Sequence, residues 1–143
     1  SCASNIAINE KFSIGPETII SINDNGNDKI KAANLFAKYF EKEGLSIVSL
    51  DKLLRASRSD TRPTDTVSTS ASDGVYKPRY IMVDFKYKTT DSLSGSGFDM
   101  LNLRFIDAET WKVLAVFTAS GSNYVDAVAK ELVQMLKKKE IIK

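Results

Sequence analysis

The first apolar positions, Ile6, Ile8, Phe12 and Ile14, share one parity, interrupted by Glu10, which is a weak strand pattern. Residues 1–16 are therefore expected to act as an N-terminal tether or as an edge strand, ended by Gly15-Pro16. Residues 17–23 are rich in β-branched side chains and predict a strand. Asp24-Asn25-Gly26-Asn27 turns the chain, with Asn27 or Asp28 as cap of a helix over 28–43. Ile30, Ala33, Ala37 and Phe40 recur there at helical spacing, widened by Leu35, Phe36 and Tyr39. Gly44 stands where a helix-terminating glycine belongs, and Leu45 to Ser49 form a short strand. This β–helix–β order makes parallel pairing the expectation. A brief helix from Asp51 to about Ala56 follows, with Asp51 as its expected cap.

The pattern then lapses. Residues 57–78 are dominated by Ser, Thr, Asp, Arg, Gly and Pro, which predicts a long, mobile polar loop. From Arg79 onward, alternation is clear. Ile81, Val83, Phe85 and Tyr87 share one face of a strand over 80–88, opposite Asp84, Lys86 and Lys88. A Ser/Gly-rich connection over 89–97 leads to a second strand, with Leu101, Leu103 and Phe105 on one face. Asp107-Ala108-Glu109-Thr110 supplies a tight turn. The returning strand, 111–118, puts Trp111, Val113, Ala115 and Phe117 on one face. Leu114 and Val116 on its other face predict a strand covered on both sides. Gly121-Ser122-Asn123 introduces a helix over about 123–139 with the stripe Val125, Val128, Ala129, Leu132 and Leu136.

The order β-α-β-(α)-β-β-β-α gives an α/β (α+β) fold class. Its expected form is a mixed sheet of about five strands with two long helices packed on it. Residues 17–143 read as a single domain. The length of 143 residues suffices for one core, and 43% hydrophobic with 27% charged residues is ordinary for a globular chain.

Charge and chemistry narrow the function. Twenty Lys and Arg against 18 Asp and Glu leave a net of +2, which does not argue for nucleic acid. The aromatic and basic residues of the β region could in principle stack bases. Most of those aromatics share parity with core aliphatics, however, so they are assigned to the core. The chain has no histidine, so the usual neutral-pH base and commonest metal ligand are missing. Its single cysteine allows no internal disulfide. No catalytic residue, metal ligand or cofactor site is assigned, and the expectation is a protein that is not an enzyme. Asp24, Asp28, Asp51, Asp84, Asp99, Asp107 and Glu109 are explained by caps and turns. Ser94-Gly95-Ser96-Gly97 lacks the features of a phosphate cradle.

Cys2 is the residue that stands out. Ser1-Cys2-Ala3-Ser4-Asn5 matches the end of a lipoprotein signal, in which a Cys after a small residue is acylated and becomes the new N-terminus. Several acyl chains hold a soluble domain at a bilayer. The alternatives kept beside this reading are a small-ligand module with a pocket between sheet and helices, and a carboxylate-based enzyme.

The run Phe36-Ala37-Lys38-Tyr39-Phe40-Glu41-Lys42-Glu43-Gly44-Leu45-Ser46-Ile47-Val48 resembles a helix–Gly–strand pattern of bacterial envelope lipoproteins with a TolB N-terminal-like domain. Leu101-Asn102-Leu103-Arg104-Phe105-Ile106-Asp107-Ala108-Glu109-Thr110-Trp111-Lys112-Val113-Leu114 is similar to the hairpin of that group, whose turn reads Asp-x-x-Thr-Gly. Trp111 stands where the group usually has Gly. The group includes the curli-secretion lipoprotein and lipoprotein activators of penicillin-binding proteins. The resemblance covers residues 17–140 in element order. It implies a domain lipid-anchored through Cys2 at the outer membrane, facing the periplasm, that binds or regulates another envelope protein. Self-association into a homo-oligomer is also left open. Pore formation is not carried over, because no segment offers membrane-crossing hairpins.

Overall fold

A computed structural model describes residues 3–26, 31–60, 75–89 and 97–142. The expected mixed sheet is present, with six strands where about five were expected. They are β1 (Ala3–Ile8), β2 (Ile19–Asn23), β3 (Ser46–Ile47), β4 (Tyr80–Thr89), β5 (Gly97–Asp107) and β6 (Val113–Tyr124). The added strand is β1, so this part of the lead is an edge strand and not a free tether. The helices are α1 (Ala32–Lys42), α2 (Leu50–Ser59) and α3 (Val125–Lys138).

The spatial order is β1-β6-β5-β4-β2-β3. β2 runs parallel to both β3 and β4, as the β–helix–β reading requires. β4, β5 and β6 form an antiparallel meander, and β1 closes it antiparallel to β6.

Turn chemistry sets the ends of β2 and α1. The Asn23 carboxamide accepts from the Asn25 amide and the Asp24 carboxylate from the Gly26 amide, while Asn25 and Gly26 adopt positive φ. Gly44, at φ 82°, ends α1, and its amide reaches the Glu41 carbonyl. α1 starts at Ala32 and not at 28: its cap is Lys31, at φ 59° and with no side-chain cap bond, where Asn27 or Asp28 was expected, and those two residues lie outside the described ones. α2 differs from expectation: its cap is Ser49, whose hydroxyl accepts from the Lys52 amide, Asp51 lies inside the first turn, and the helix runs through Ser59, so residues 57–59 of the expected 57–78 loop are helical. α3 starts at Val125, because β6 continues through Gly121, where a helix lead was expected.

α1 and α3 cover one face of the sheet and enclose the main core. Ile81, Val83, Phe85, Leu101, Leu103, Phe105, Ala115 and Phe117 from the sheet meet Phe36, Phe40, Val128, Leu132 and Leu136. α2 covers part of the other face, where Leu53 packs with Tyr80, Ala108, Met82 and Ile19. The result is a sheet covered fully on one side and, by the described elements, only over its β2–β4 half on the other.

The register corrects the parity expected for β6. Phe105 pairs with Ala115 but Ile106 pairs with Val113, so Leu114 is an extra residue in a bulge. The bulge turns Leu114 into the same core as Ala115 and Phe117. Val113 falls on the opposite face with Ile106. Trp111 lies before the strand and is 58% exposed.

Candidate functional site

Four regions bear on function, beginning with the amino terminus. Cys2 itself lies outside the described residues, but β1 begins at the next residue and is hydrogen-bonded along β6 from Ala3 to Ile8. Ser4 donates from its hydroxyl to Glu131 of α3, fastening this strand to the helical layer. Any group carried on Cys2 is thus one residue from a fixed strand.

The second region is the β5–β6 hairpin. The Asp107 side chain is fully buried and accepts from the Glu109 and Thr110 amides and from the Tyr76 hydroxyl. Burial, and then the bond to Asp107, push the Tyr76 phenol well above its ordinary range, so it stays a neutral donor. The Trp111 amide donates to the Asp107 carbonyl over 2.7 Å, and Trp111 closes the turn at φ 63°. A hairpin of this kind normally places glycine at the left-handed position. The sequence resemblance had marked the same position, and the backbone supplies the reason. A tryptophan there costs of order 1–2 kcal/mol in backbone conformation, yet its indole stands out in water. Trp111→Gly is expected to raise unfolding stability by about 1 kcal/mol, read as a higher urea midpoint with unchanged slope. A lower midpoint would show that the indole contributes to the fold.

Behind the hairpin lies a cluster that sequence reading missed. Arg79 donates through Nε and Nη2 to Glu109 (3.0 and 2.6 Å) and through Nη1 to Asp60 (3.1 Å). Tyr80 donates its hydroxyl to the other Asp60 oxygen, at 2.8 Å. The three charged side chains are each less than one-tenth exposed. The cluster ties the end of α2 to the hairpin that carries Trp111. Its members are far apart in sequence, and no local pattern announces them. Asp60 and Glu109 are a converging carboxylate pair of the kind an acid–base enzyme needs. Both, however, are already held by one guanidinium, and the arrangement is that of a buried ion cluster.

The third region is the sheet face left uncovered beyond α2. Directly paired residues share a face, which sets Ala7, Val116, Arg104 and Asp84 in one row and Asn5, Thr118, Asn102 and Lys86 in the next. The basic residues Lys86, Lys88 and Arg104 are here, while Phe85, Phe105 and Phe117 are on the core face. The aromatics are therefore core, as their parity indicated, and a base-stacking platform is not formed by them. Asp84 is 5% exposed, and accepts from Arg104 (2.6 Å) and Asn25 (3.0 Å), with Lys86 at 3.9 Å.

Burial by itself pushes the Asp84 carboxyl up, but the Arg104 and Asn25 hydrogen bonds and the nearby cations outweigh it. The net effect holds Asp84 below the usual carboxylate range. A depressed folded pKa stabilises the fold above the unfolded value of about 3.9 and loses that contribution as pH falls through the folded value. The stability difference between wild type and Asp84→Asn is thus expected to be constant above about pH 5 and to shrink below about pH 4. Urea titrations across that range check it; a pH-independent difference would contradict the assignment.

The fourth region comprises surface hollows. One, of about 540 Å³, is lined by Lys11, Ser13, Val75, Lys77, Lys137, Glu140 and Ile142. A neighbouring one, of about 290 Å³, adds Gly15, Pro16, Glu17, Glu43 and Leu45. Both lie at one end of the sheet, beside the end of α3. The layer between sheet and helices, where a ligand pocket was expected under the alternative reading, is filled: Phe36 and Phe85 meet edge to face at 5.1 Å, among fully buried neighbours. Among the described residues, no cluster of three or more potential metal ligands occurs, and no helix is long and apolar enough to cross a membrane. Residues 61–74 and 90–96 of the two expected surface loops lie outside the described residues.

No protein-family profile matches the chain, and no curated protein matches it. Solved structures do. A PelC dodecamer from Paraburkholderia phytofirmans aligns over 99% of this chain and 99% of its own, with TM-score 0.53 and 13% identity. A point-substituted PelC dodecamer from the same organism aligns over 100% of both chains, with TM-score 0.54 and 13% identity. At this identity the likeness shows a shared fold.

Proposed function

We propose that this chain is a non-enzymatic, lipid-anchored protein of the bacterial cell envelope. Acyl chains on Cys2 hold it to the outer membrane on the periplasmic side, and its domain binds or regulates another envelope protein. The observation that carries the binding role is Trp111, an exposed indole kept at a backbone position that favours glycine. Strained residues persist where function holds them, and tryptophan is a frequent anchor of protein interfaces. The anchor rests on Ser1-Cys2 and on β1, which is fixed in the sheet from the residue after Cys2. Each buried methylene contributes about 0.8 kcal/mol, so two or more chains give stable attachment.

The TolB N-terminal-like resemblance supports the envelope role. The PelC chains are described as dodecamers, and by that likeness we extend self-association to this chain.

Fractionation of a Gram-negative host expressing the full-length gene tests the reading. Wild type is expected with the membranes, and Cys2→Ala in the soluble periplasmic fraction. Cross-linking in the same cells should give discrete higher-mass species that Trp111→Ala weakens while its folding is kept. A soluble wild type would overturn the anchor; cross-links indifferent to Trp111 would overturn the binding role.

A further inference from the structure

We propose that the end of the sheet bearing Met100, Lys88 and Lys86 is the surface the domain lays against the bilayer, with Met100 entering the interface and the lysines meeting anionic headgroups. The proposal rests on the lipid anchor at Cys2 and gives the anchored domain an orientation.

The register supplies the geometry. Ala3 pairs with Ser120, Ser120 with Met100, and Met100 with Lys88, a single row across β1, β6, β5 and β4. With strands about 4.8 Å apart, the row spans about 14 Å. Cys2 precedes this row by one residue, about 3.8 Å between Cα atoms. A lipid on Cys2 therefore leaves no spacer between the membrane and this edge of the sheet. Trp111 is at the other end, beyond Val113, and the stretch of β6 from Ser120 to Val113 alone spans roughly 20 Å. The anchored domain thus presents Trp111 away from the bilayer, where a partner can reach it.

The row's own side chains suit a membrane surface. Met100 is 57% exposed, which is unusual for a large apolar residue inside a strand. Lys86 and Lys88 are exposed beside it, and Lys88 has no ion-pair partner among the described residues. Asp84, the acidic residue of the same face, is already held by Arg104. Asp99 is the neighbouring exposed carboxylate; Phe98 pairs with Thr89 and Met100 with Lys88, so Asp99 is the extra residue of a bulge on β5 and breaks the alternation beside this row. An apolar residue flanked by cations next to an acyl anchor is the combination that strengthens a single-point attachment.

Methionine oxidation reads this contact directly, because exposed Met100 forms its sulfoxide readily in water. The wild-type chain is coupled through the Cys2 thiol to maleimide-bearing vesicles of phosphatidylethanolamine and phosphatidylglycerol. Peroxide oxidation of Met100 is then followed by mass spectrometry. Chemical coupling makes the result independent of whether cells acylate Cys2, so failure here and failure of the anchor are separate findings. Protection of Met100 by about fivefold or more relative to the free chain is expected, and it should vanish in Lys86→Glu/Lys88→Glu coupled to the same vesicles. Met100 oxidised at the free-chain rate on the vesicles would overturn the proposal. So would protection that survives the double charge reversal, which would assign the contact to tethering alone.

Discussion

Arg79→Met should lower the unfolding free energy by about 3–5 kcal/mol, among the largest effects of any single substitution in this chain. The guanidinium is the counter-charge to two carboxylates, Asp60 and Glu109, that are each less than one-tenth exposed. Removing it takes the guanidinium from two desolvated carboxylates, of which Asp60 keeps the Tyr80 hydroxyl, and the loss costs far more than the pairing itself contributes. For a chain of this size the expected fall in melting temperature is roughly 10 °C or more. The effect has a second reading: because the cluster joins α2 to the hairpin, the loss should be largely non-additive with Glu109→Gln. A double-mutant cycle by urea unfolding measures that coupling. Additive losses would show that Arg79 acts through Asp60 alone.

Phe85→Ala is expected to cost a similar 3–5 kcal/mol by a different route. Phe85 is 1% exposed at the centre of β4, edge to face with Phe36 of α1 at 5.1 Å and with Tyr87 at 5.5 Å. Truncation leaves a cavity between the sheet and the helix that packs on it, and rigid neighbours on both sides limit collapse. Phe85→Leu keeps most of the volume and should cost less than half as much, about 1–2 kcal/mol. Equal losses for the two variants would mean that ring geometry matters more than volume. Both measurements presume a cooperative single transition, which coincident fluorescence and circular dichroism curves would establish.

The fold was largely legible because its signals are local. The alternation of Ile81, Val83, Phe85 and Tyr87, the helical stripe from Val125 to Leu136, and Gly44 after α1 each report a nearest-neighbour preference. Three features were not legible. The bulge at Leu114 shifts parity by one, and only the pairing of Ile106 with Val113 reveals it. The strand character of Ala3–Ile8 depends on β6, more than a hundred residues away, so its short pattern could not exclude a tether. The Arg79 cluster unites Asp60 just past α2, Arg79 and Tyr80 at the start of β4, and Glu109 of the hairpin, and sequence assigned Glu109 only to a turn.

The candidate site divides in the same way. Cys2 was readable as a motif, and Trp111 was readable as a departure from the glycine expected at its turn. Its significance comes from φ 63° and from exposure, which the strand pattern had placed inside. Met100 was given no role, although its parity sets it with Asn102 and Arg104 and opposite Leu101, Leu103 and Phe105; what the sequence could not show is which cations the neighbouring strand places beside it.

Acylation of Cys2 is the premise of both the anchor and the orientation of the domain. The deciding measurement is the intact mass of the mature protein, expressed from its full-length gene in a Gram-negative host that processes a control lipoprotein. A chain beginning at Cys2 that carries a diacylglycerol and an added acyl group is expected, a modification lost in Cys2→Ala. An unmodified mass in the same cells would contradict it.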